Sequence, residues 1–474
     1  VAGPVFGLSP EWNLAGGKPV ADVMVLSHPE QQERLAHYGG GGGPRGVLAG
    51  DPCFDRMLAA RRYRERYRRA LGVRHGQRLV VLNSTWNPES LFGDGAGTDP
   101  ERAPGHHHLR EPGNDVLRRL LARLPAQLPV DDYRLAAVLH PNIWHGHGPG
   151  QVRTWLDSAR RAGLTLIDPL HDWRQAVLAA DAVIGDFGSV SYYAAALGTP
   201  VLLAATGADR LDPLSPVARF VRTAPRLDPA APLGAQLDAL IGAQQGPRPG
   251  PDEPGFGVPG PTEPGRTEPG PAELTTSDPG RSAFLLRRLF YELIGIGEPG
   301  SPAHLDPLPM PAYQPPCHLA PLAVRTTRCA GTAVEIRRYG DSPFAPPTGG
   351  VAHLAVHEDT LDPEALALAD VLFREGAADD PVLGTPEEWT AEALARHPHA
   401  ALAARVTGPA ECVARLRSGD LYDLVGEPRG ADPAAAASAL LGWLAEGGKP
   451  DELLAGGLTV VTDAARYAVR VTRR

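Results

Sequence analysis

Residues Asp181–Ala204 read DAVIGDFGSVSYYAAALGTPVLLA. An apolar run, Ala182–Ile184, ends at Gly185-Asp186, and a turn through Phe187-Gly188-Ser189 follows. A helix over Val190–Leu197 then stops at Gly198, and a second apolar run, Pro200–Ala204, begins at once. Continuous apolar strands joined by a helix are the signature of a buried parallel sheet covered on both faces. The first N–H groups of such a helix open at the carboxyl edge of the sheet. There Gly188 lets a ligand approach the backbone, and Ser189 can cap the helix or donate from its hydroxyl. Dipole and donors together suit such a place to a diphosphate. An ordinary strand–turn–helix with a serine cap reads from the same letters.

Outward from this segment the alternation continues. Strand candidates are Val20–Leu26, Val47–Leu48, Leu79–Asn83, Leu135–His140 and Leu164–Ile167. Between them lie helix candidates Glu30–Tyr38, Asp55–Leu71, Asp115–Leu124, Val152–Ala162 and Trp173–Ala180. In the second of these, Ala60, Tyr63, Tyr67 and Leu71 line one face of an Arg-covered helix. Residues 20–244 are therefore expected to form one doubly wound, Rossmann-like parallel α/β sheet domain, with residues 1–19 an extension or the remnant of a preceding domain.

From about Gln245 the sequence turns to Pro and Gly, with Glu-Pro-Gly recurring at Glu253, Glu263 and Glu268. Fixed φ angles and a lack of apolar residues predict a semi-extended linker over 245–280. Beyond it, 281–295 reads as helix within a connector over 281–330, and 300–330 reads as Pro-rich and irregular. Residues 331–474 alternate again, with helices expected over Pro363–Glu375, Ala410–Leu416 and Pro433–Ala445. A second, smaller α/β or α+β domain of unassigned role is expected there.

Two further segments carry chemistry. Arg134–Gly148, RLAAVLHPNIWHGHG, delivers His140 to the same sheet edge, with Pro141 ending the strand. An imidazole there can donate to a phosphate or protonate a leaving oxygen near neutral pH. His145 and His147 are close by, but no carboxylate or further ligand stands at a recognisable spacing, so no metal is assigned. The run His106–His108 lies in a Gly/Pro loop and reads as solvated. Leu79–Gly93, LVVLNSTWNPESLFG, ends a strand in Ser84-Thr85-Trp86, whose hydroxyls and indole suit a phosphate and a nucleobase. A packed tryptophan with turn-forming hydroxyls is the alternative. Asp186 joins Trp86 as a further nucleotide contact. Asp55 reads by position as the N-cap of the Arg-rich helix. Its arginines, Arg56 to Arg74, read as a solvated face, with attraction to an anionic membrane surface the alternative.

Composition narrows the class. The chain has 474 residues, 46 Lys+Arg, of which only Lys18 and Lys449 are lysines, and 55 Asp+Glu, a formal net charge of −9. That balance argues against a protein that coats nucleic acid. The four cysteines, Cys53, Cys317, Cys329 and Cys412, stand far apart, so a reducing cytoplasm is expected. No apolar stretch reaches spanning length, and the opening residues lack the regions of a signal peptide.

The ordered string G-D-P-x-x-D-R from Gly50, S-T-W from Ser84, H-P from His140, D-F-G-S from Asp186 and A-L-G-T-P-V-L-L from Ala196 resembles the CDP-glycerol glycerophosphotransferase (teichoic acid polymerase-like) family and its GT-B relatives. The resemblance covers roughly residues 18–210. It implies a domain that holds a nucleoside diphosphate donor without a metal or any other cofactor. It also implies that His140 contacts the pyrophosphate and assists departure of the nucleotide, that Ser189 donates to a donor phosphate, and that Ser84 and Thr85 face the nucleotide. Gly188 stands where the family has a serine, and Tyr193 where it has a carboxylate toward the ribose. The chain opens on Val1, in what resembles the last strand and helix of the acceptor half, Ala21–Ala36. A late gene start and a chain retaining only the donor half are both compatible with this. The expected partners are a nucleotide-activated donor, a polymer or lipid-linked acceptor and the inner face of the cell membrane, with no nucleic acid. A non-catalytic nucleotide-binding scaffold and a sugar-nucleotide epimerase are the competing functions.

Overall fold

A computed structural model of the chain describes residues 5, 7–39, 42–87, 89–93, 116–208, 211–243, 269–340, 349–426 and 432–474. His106–His108 and most of the predicted linker, 245–268, lie outside these. Helix α1 (Pro10–Asn13) leads into a hairpin of β1 (Leu14–Ala15) and β2 (Lys18–Pro19). Strands β3 (Val23–Leu26) and β4 (Arg45–Leu48), joined by α2 (Pro29–Tyr38), pair in parallel and only with each other. They are separate from the main sheet because the chain swings at Gly50, φ +73°, into α3 (Pro52–Ala60), which covers that sheet instead.

The main sheet has five strands, β5 (Arg78–Ser84), β6 (Tyr133–Leu139), β7 (Thr165–Leu166), β8 (Ala182–Gly185) and β9 (Val201–Leu203). All pair in parallel, in the order β7-β6-β5-β8-β9. Successive side chains leave a strand on opposite faces. Leu79, Val81 and Val138 accordingly pack with Met57 of α3, Tyr67 of α4 (Arg64–Ala70), Val177 of α9 (Trp173–Ala179) and Ala194 of α10 (Ser189–Ala196). Val80, Leu82 and Ile184 turn the other way. They meet Leu124 of α5 (Val116–Gln127), Ile143 of α6 (Pro141–His147), Val152 of α7 (Pro149–Trp155) and Leu237 of α12 (Leu233–Ala243). Both faces are thus apolar, at about 1.5–3 kcal/mol for each fully buried Val or Leu. Helix α8 (Asp157–Arg161) completes the β6–β7 crossover, and α11 (Pro216–Thr223) follows β9. The strand order runs outward from β5 in both directions, which puts the reversal between β5 and β8. In open α/β sheets ligands bind at the carboxyl ends of the strands at such a reversal.

Residues 269–280 fold onto this domain through α13 (Pro271–Thr275). Asp55 does not cap its helix. Asp51 does, accepting from the Phe54 N–H at 3.0 Å, while buried Asp55 receives Gly280 N and Ser282 N at the start of α14 (Ser282–Ile294). The Pro-rich stretch that follows is an extended strap along the sheet domain, pinned by Gln175 to Pro309 O and by Gln314 N to Ala70 O.

The second domain is not the smaller α/β unit expected from its alternation. It is a closed barrel of nine strands, ordered β10-β11-β17-β18-β16-β15-β14-β13-β12. These are β10 (Leu322–Arg328), β11 (Ala333–Gly340), β12 (Val351–His357), β13 (Val371–Glu375), β14 (Leu402–Gly408), β15 (Glu411–Leu416), β16 (Leu421–Gly426), β17 (Leu458–Val461) and β18 (Arg466–Arg473). The expected helix over Pro363–Glu375 ends at Ala367 as α15 (Pro363–Ala367), and its remainder is β13. The expected helix over Ala410–Leu416 is β15, and the stretch read as irregular to residue 330 ends in β10. Cross-strand pairing and burial override the helix preference of Ala, Glu, Leu and Arg. Outside the barrel, α16 (Pro386–Arg396) packs on β14 and β15, and α18 (Pro450–Gly456) on β18. The helix α17 (Pro433–Ala445) runs inside, touching β10 through β17 and buried on all sides. Its alanines suit the narrow interior of a small barrel.

Candidate functional site

The site expected from the sequence sits where β5, β6 and β8 end. At the strand spacing of ~4.8 Å, the ends of β6 and β8 stand about 10 Å apart with β5 between them. His140 N donates to Ser84 O at 3.0 Å, which levels the exits of β5 and β6. Asn83 Nδ2 donates to Ser191 Oγ at 2.7 Å, tying β5 to α10. Gly185 permits this approach, since a Cβ there would lie 2.3 Å from Ser191 Oγ.

Asp186 is the centre of the turn and is fully buried. One carboxylate oxygen accepts from Thr85 N at 2.9 Å and Leu91 N at 3.1 Å and lies 3.2 Å from Ser84 Oγ. The other accepts from Gly188 N at 3.0 Å. Burial holds its pKa above the usual carboxylate value, against the pull of these donors. Asp186 therefore organises the loop from inside. It also engages two backbone donors at this edge, those of Thr85 and Gly188, which are therefore not free for a phosphate. Ser84 is buried too, accepting from Phe92 N at 2.8 Å. Its side chain leaves β5 on the face that the 89–93 loop covers.

What remains open at the edge is Ser189, Thr85, Trp86 and His140. Ser189 is exposed at the first position of α10, whose N-cap is Gly188, so no side chain caps that helix. A Cβ on Gly188 would lie 3.0 Å from Asp186 Oδ1 and 3.1 Å from Thr85 Cβ, so a serine at this position would crowd the turn. Trp86 is half exposed, its ring centroid 6.5 Å from that of His140. His140 caps α6 by accepting from Asn142 N at Nδ1, 3.1 Å, and burial lowers its pKa below the ordinary imidazole value. With Nδ1 an acceptor, the neutral ring carries its proton on Nε2. His28-Pro29 uses the same device at the start of α2, Nδ1 accepting from Glu30 N at 3.1 Å. Capping alone is thus a structural habit of His-Pro in this chain, and position at the strand reversal is what distinguishes His140.

Tyr193, on α10, donates its hydroxyl to Asp51 Oδ2 at 2.7 Å, between the rings of Phe54 and Trp173. A carboxylate consequently stands beside the position where the resemblance looks for one. Asp51 was legible only as part of a turn motif, because the pairing joins residues 142 positions apart in sequence. His147 stacks with Phe92 and Trp155, and His145 lines a groove on α6, so the histidines of this helix diverge. Among the described residues no group of three or more His, Cys, Asp or Glu is arranged to hold a metal, and no helix is long and apolar enough to cross a membrane.

No family model matches the chain, and no curated protein matches it. Among solved structures it is similar to the wall teichoic acid polymerase TagF, at 18% identity over 47% of this chain and 50% of that one, with a TM-score of 0.32. A TagF variant soaked with CDPG for 15 minutes gives 15% identity over 47% and 49%, at 0.29. A further TagF variant gives 18% over 38% and 39%, at 0.26. The chain spans half or less of the length of these structures.

Proposed function

We propose that the sheet domain binds a nucleoside diphosphate-linked donor at the β5/β8 reversal, as the donor half of a transferase. The group transferred is glycerol phosphate or a sugar, and the acceptor is a polymer or lipid-linked alcohol at the cytoplasmic side of the membrane. One observation carries the reading: the uncapped start of α10 with Ser189, the Thr85-Trp86 turn and His140 follow the carboxyl ends of β8, β5 and β6, beside the strand reversal. The ordered motifs from Gly50 to Leu203 support the donor class. In the reaction the acceptor oxygen loses its proton and attacks one of two centres. At the glycerol-bearing phosphorus it breaks the P–O–P bond and releases a nucleoside monophosphate; at the sugar's anomeric carbon it breaks the bond to the diphosphate and releases a nucleoside diphosphate. In either case helix-end amides and His140 Nε2–H stabilise the charge gathering on the phosphate of the departing nucleotide. Trp86 suits stacking on the base, and no cofactor is invoked.

Calorimetry with CDP and UDP tests the site. Ser189→Ala and His140→Ala are each expected to weaken binding roughly 10- to 150-fold, the equivalent of about 1.5–3 kcal/mol for a hydrogen bond to a charged group. Unchanged affinity in both variants overturns the assignment. The engagement of Thr85 N and Gly188 N by Asp186 favours a second reading, a binding module without turnover. Tight diphosphate binding with no consumption of any donor would select it.

A further inference from the structure

Arg174 is the second residue of α9, and its guanidinium meets no anion. Helix α9 ends at Ala179, just before β8 begins, so it runs against the strands and starts on the carboxyl side of the sheet, as α10 does. Arg174 Nε donates to Cys53 Sγ on α3 at 3.2 Å, and its Cζ lies 4.7 Å from the centroid of the Trp173 ring. Trp173 and Phe54 hold Tyr193 between them, with ring centroids 5.9 and 6.1 Å from its own. Tyr193 follows Ser189 by one helical turn, about 6 Å along the axis. Rings from α3, α9 and α10 thus tie Arg174 to the first turns of the helix whose start is uncapped.

A thiol is a poor match for this cation. Burial pushes the Cys53 thiol up, against the pull of Arg174, so near neutral pH the sulfur is an uncharged, weak acceptor. Asp51, the carboxylate of the cluster, is taken by the Tyr193 hydroxyl at 2.7 Å and by Phe54 N at 3.0 Å. Among the described residues Arg174 forms no ion pair, and Cys53 is the acceptor it meets. The open edge of the sheet has the opposite lack. Ser189, Thr85, Trp86 and His140 supply hydroxyls, an indole and a neutral imidazole, but no positive charge. A diphosphate calls for one, and the planar fork of an arginine matches phosphate oxygens two at a time.

We propose that Arg174 recognises the second phosphate of the donor, leaving the Cys53 thiol to fork onto its oxygens. With the base on Trp86, after β5, the diphosphate passes the start of α10 and carries its far phosphate toward α9. Arg174 is then a specificity residue, separating nucleoside diphosphates from monophosphates. That role rests on the donor reading; the anion-binding character of Arg174 does not.

Calorimetry on the full chain with CDP and UDP, the matching monophosphates and inorganic pyrophosphate tests it. Arg174→Gln is expected to bind the preferred diphosphate and pyrophosphate at least tenfold more weakly than the original, with monophosphate affinity within threefold. Arg174→Lys, which keeps the charge and loses the fork, should fall between the two. Diphosphate affinity that is unchanged in Arg174→Gln but weakened by Ser189→Ala overturns the role of Arg174 and leaves the donor reading standing. Equal losses for diphosphate and monophosphate overturn the discrimination between them. If neither CDP nor UDP binds while pyrophosphate binds in an Arg174-dependent way, the donor reading falls and the anion site stands.

Discussion

The guanidinium of Arg338, on barrel strand β11, grips the carboxylate of Asp131, just before sheet strand β6, through hydrogen bonds of 2.7 and 3.0 Å. The same guanidinium pairs with Asp432, the cap of α17, and Asp432 also accepts from Arg74 at 2.9 Å. The two domains therefore share a buried ionic junction. Arg338→Met leaves buried Asp131 without its cation, while Asp432 keeps Arg74, and losing one partner of a buried pair costs about 3–5 kcal/mol. Chemical denaturation should show that loss, and a variant within about 1 kcal/mol of the original would show that the junction is dispensable.

Asp132, beside this junction, behaves in the opposite sense. Burial, reinforced by the Asp131 charge, raises its pKa to about 6, although Ala464 N donates to it at 2.7 Å. Its other oxygen is buried without a partner. The folded value lies above the unfolded value of ~3.9, so the folded state holds the extra proton between about pH 4 and 6 and loses stability as pH rises through that window. At ~1.4 kcal/mol per pKa unit, the charged carboxylate costs the fold about 2–3 kcal/mol above that window. Asp132→Asn, which keeps an acceptor for Ala464 N, should be more stable than the original at pH 7–8 and equal to it near pH 4. An equal gain at both pH values would mean that titration of this carboxyl is not the cause.

The sheet domain was legible because each of its central strands is a continuous apolar run and each crossover begins at a Pro, Ser or Gly signal. The barrel was not. Val371–Glu375 follows a helix-forming run, and Glu411–Leu416 mixes the helix formers Glu, Ala, Arg and Leu with Cys and Val; their pairing with β12 in the first case and with β14 and β16 in the second makes them strands. At the proposed site, the ordering of motifs anticipated that Ser84, His140 and Asp186 follow neighbouring strands of one sheet, but side-chain direction was hidden. Ser84 and Asp186 turn inward because the 89–93 loop folds back over them, a contact that spacing along the chain does not encode. Arg174 was missed because the groups around it come from three elements, α3, α9 and α10.

Gly442 tests the threading of α17. A Cβ at this position would lie 2.3 Å from Thr326 Oγ1 and 2.6 Å from Thr326 Cβ on β10. Neither the helix nor the closed barrel can give way freely, so Gly442→Ala should destabilise by about 1–3 kcal/mol despite the better helix propensity of alanine. A stabilised variant in thermal unfolding would place the helix farther from β10 than this packing requires.

Asp186→Asn isolates the turn at the proposed donor site. The amide retains one acceptor oxygen but points an NH₂ toward N–H donors now satisfied by the carboxylate. A loss of about 1–3 kcal/mol is expected. Hydrogen exchange should quicken at Thr85, Leu91 or Gly188 before it quickens in β5. Exchange unchanged at all three amides would remove Asp186 as the organiser of the loop.

His140 links the site to pH. Its Nδ1 accepts from Asn142 N, and burial keeps its pKa below the ordinary imidazole value, so the free protein near neutrality carries a neutral Nε2–H tautomer. A diphosphate bound beside the ring favours its protonated form and raises that pKa, so binding takes up a proton whenever the pH lies between the free and bound values. Affinity should then increase as pH falls from about 7.5 toward 6 and level off below the free-protein pKa, with the same linkage sign as any ligand-induced rise. In His140→Gln, which still offers a donor, the slope should vanish while part of the affinity remains. Nitrogen chemical shifts of the ring report the tautomer directly. A protonated Nδ1 in the free protein, or a pH slope that survives the substitution, would place the proton-linked group elsewhere.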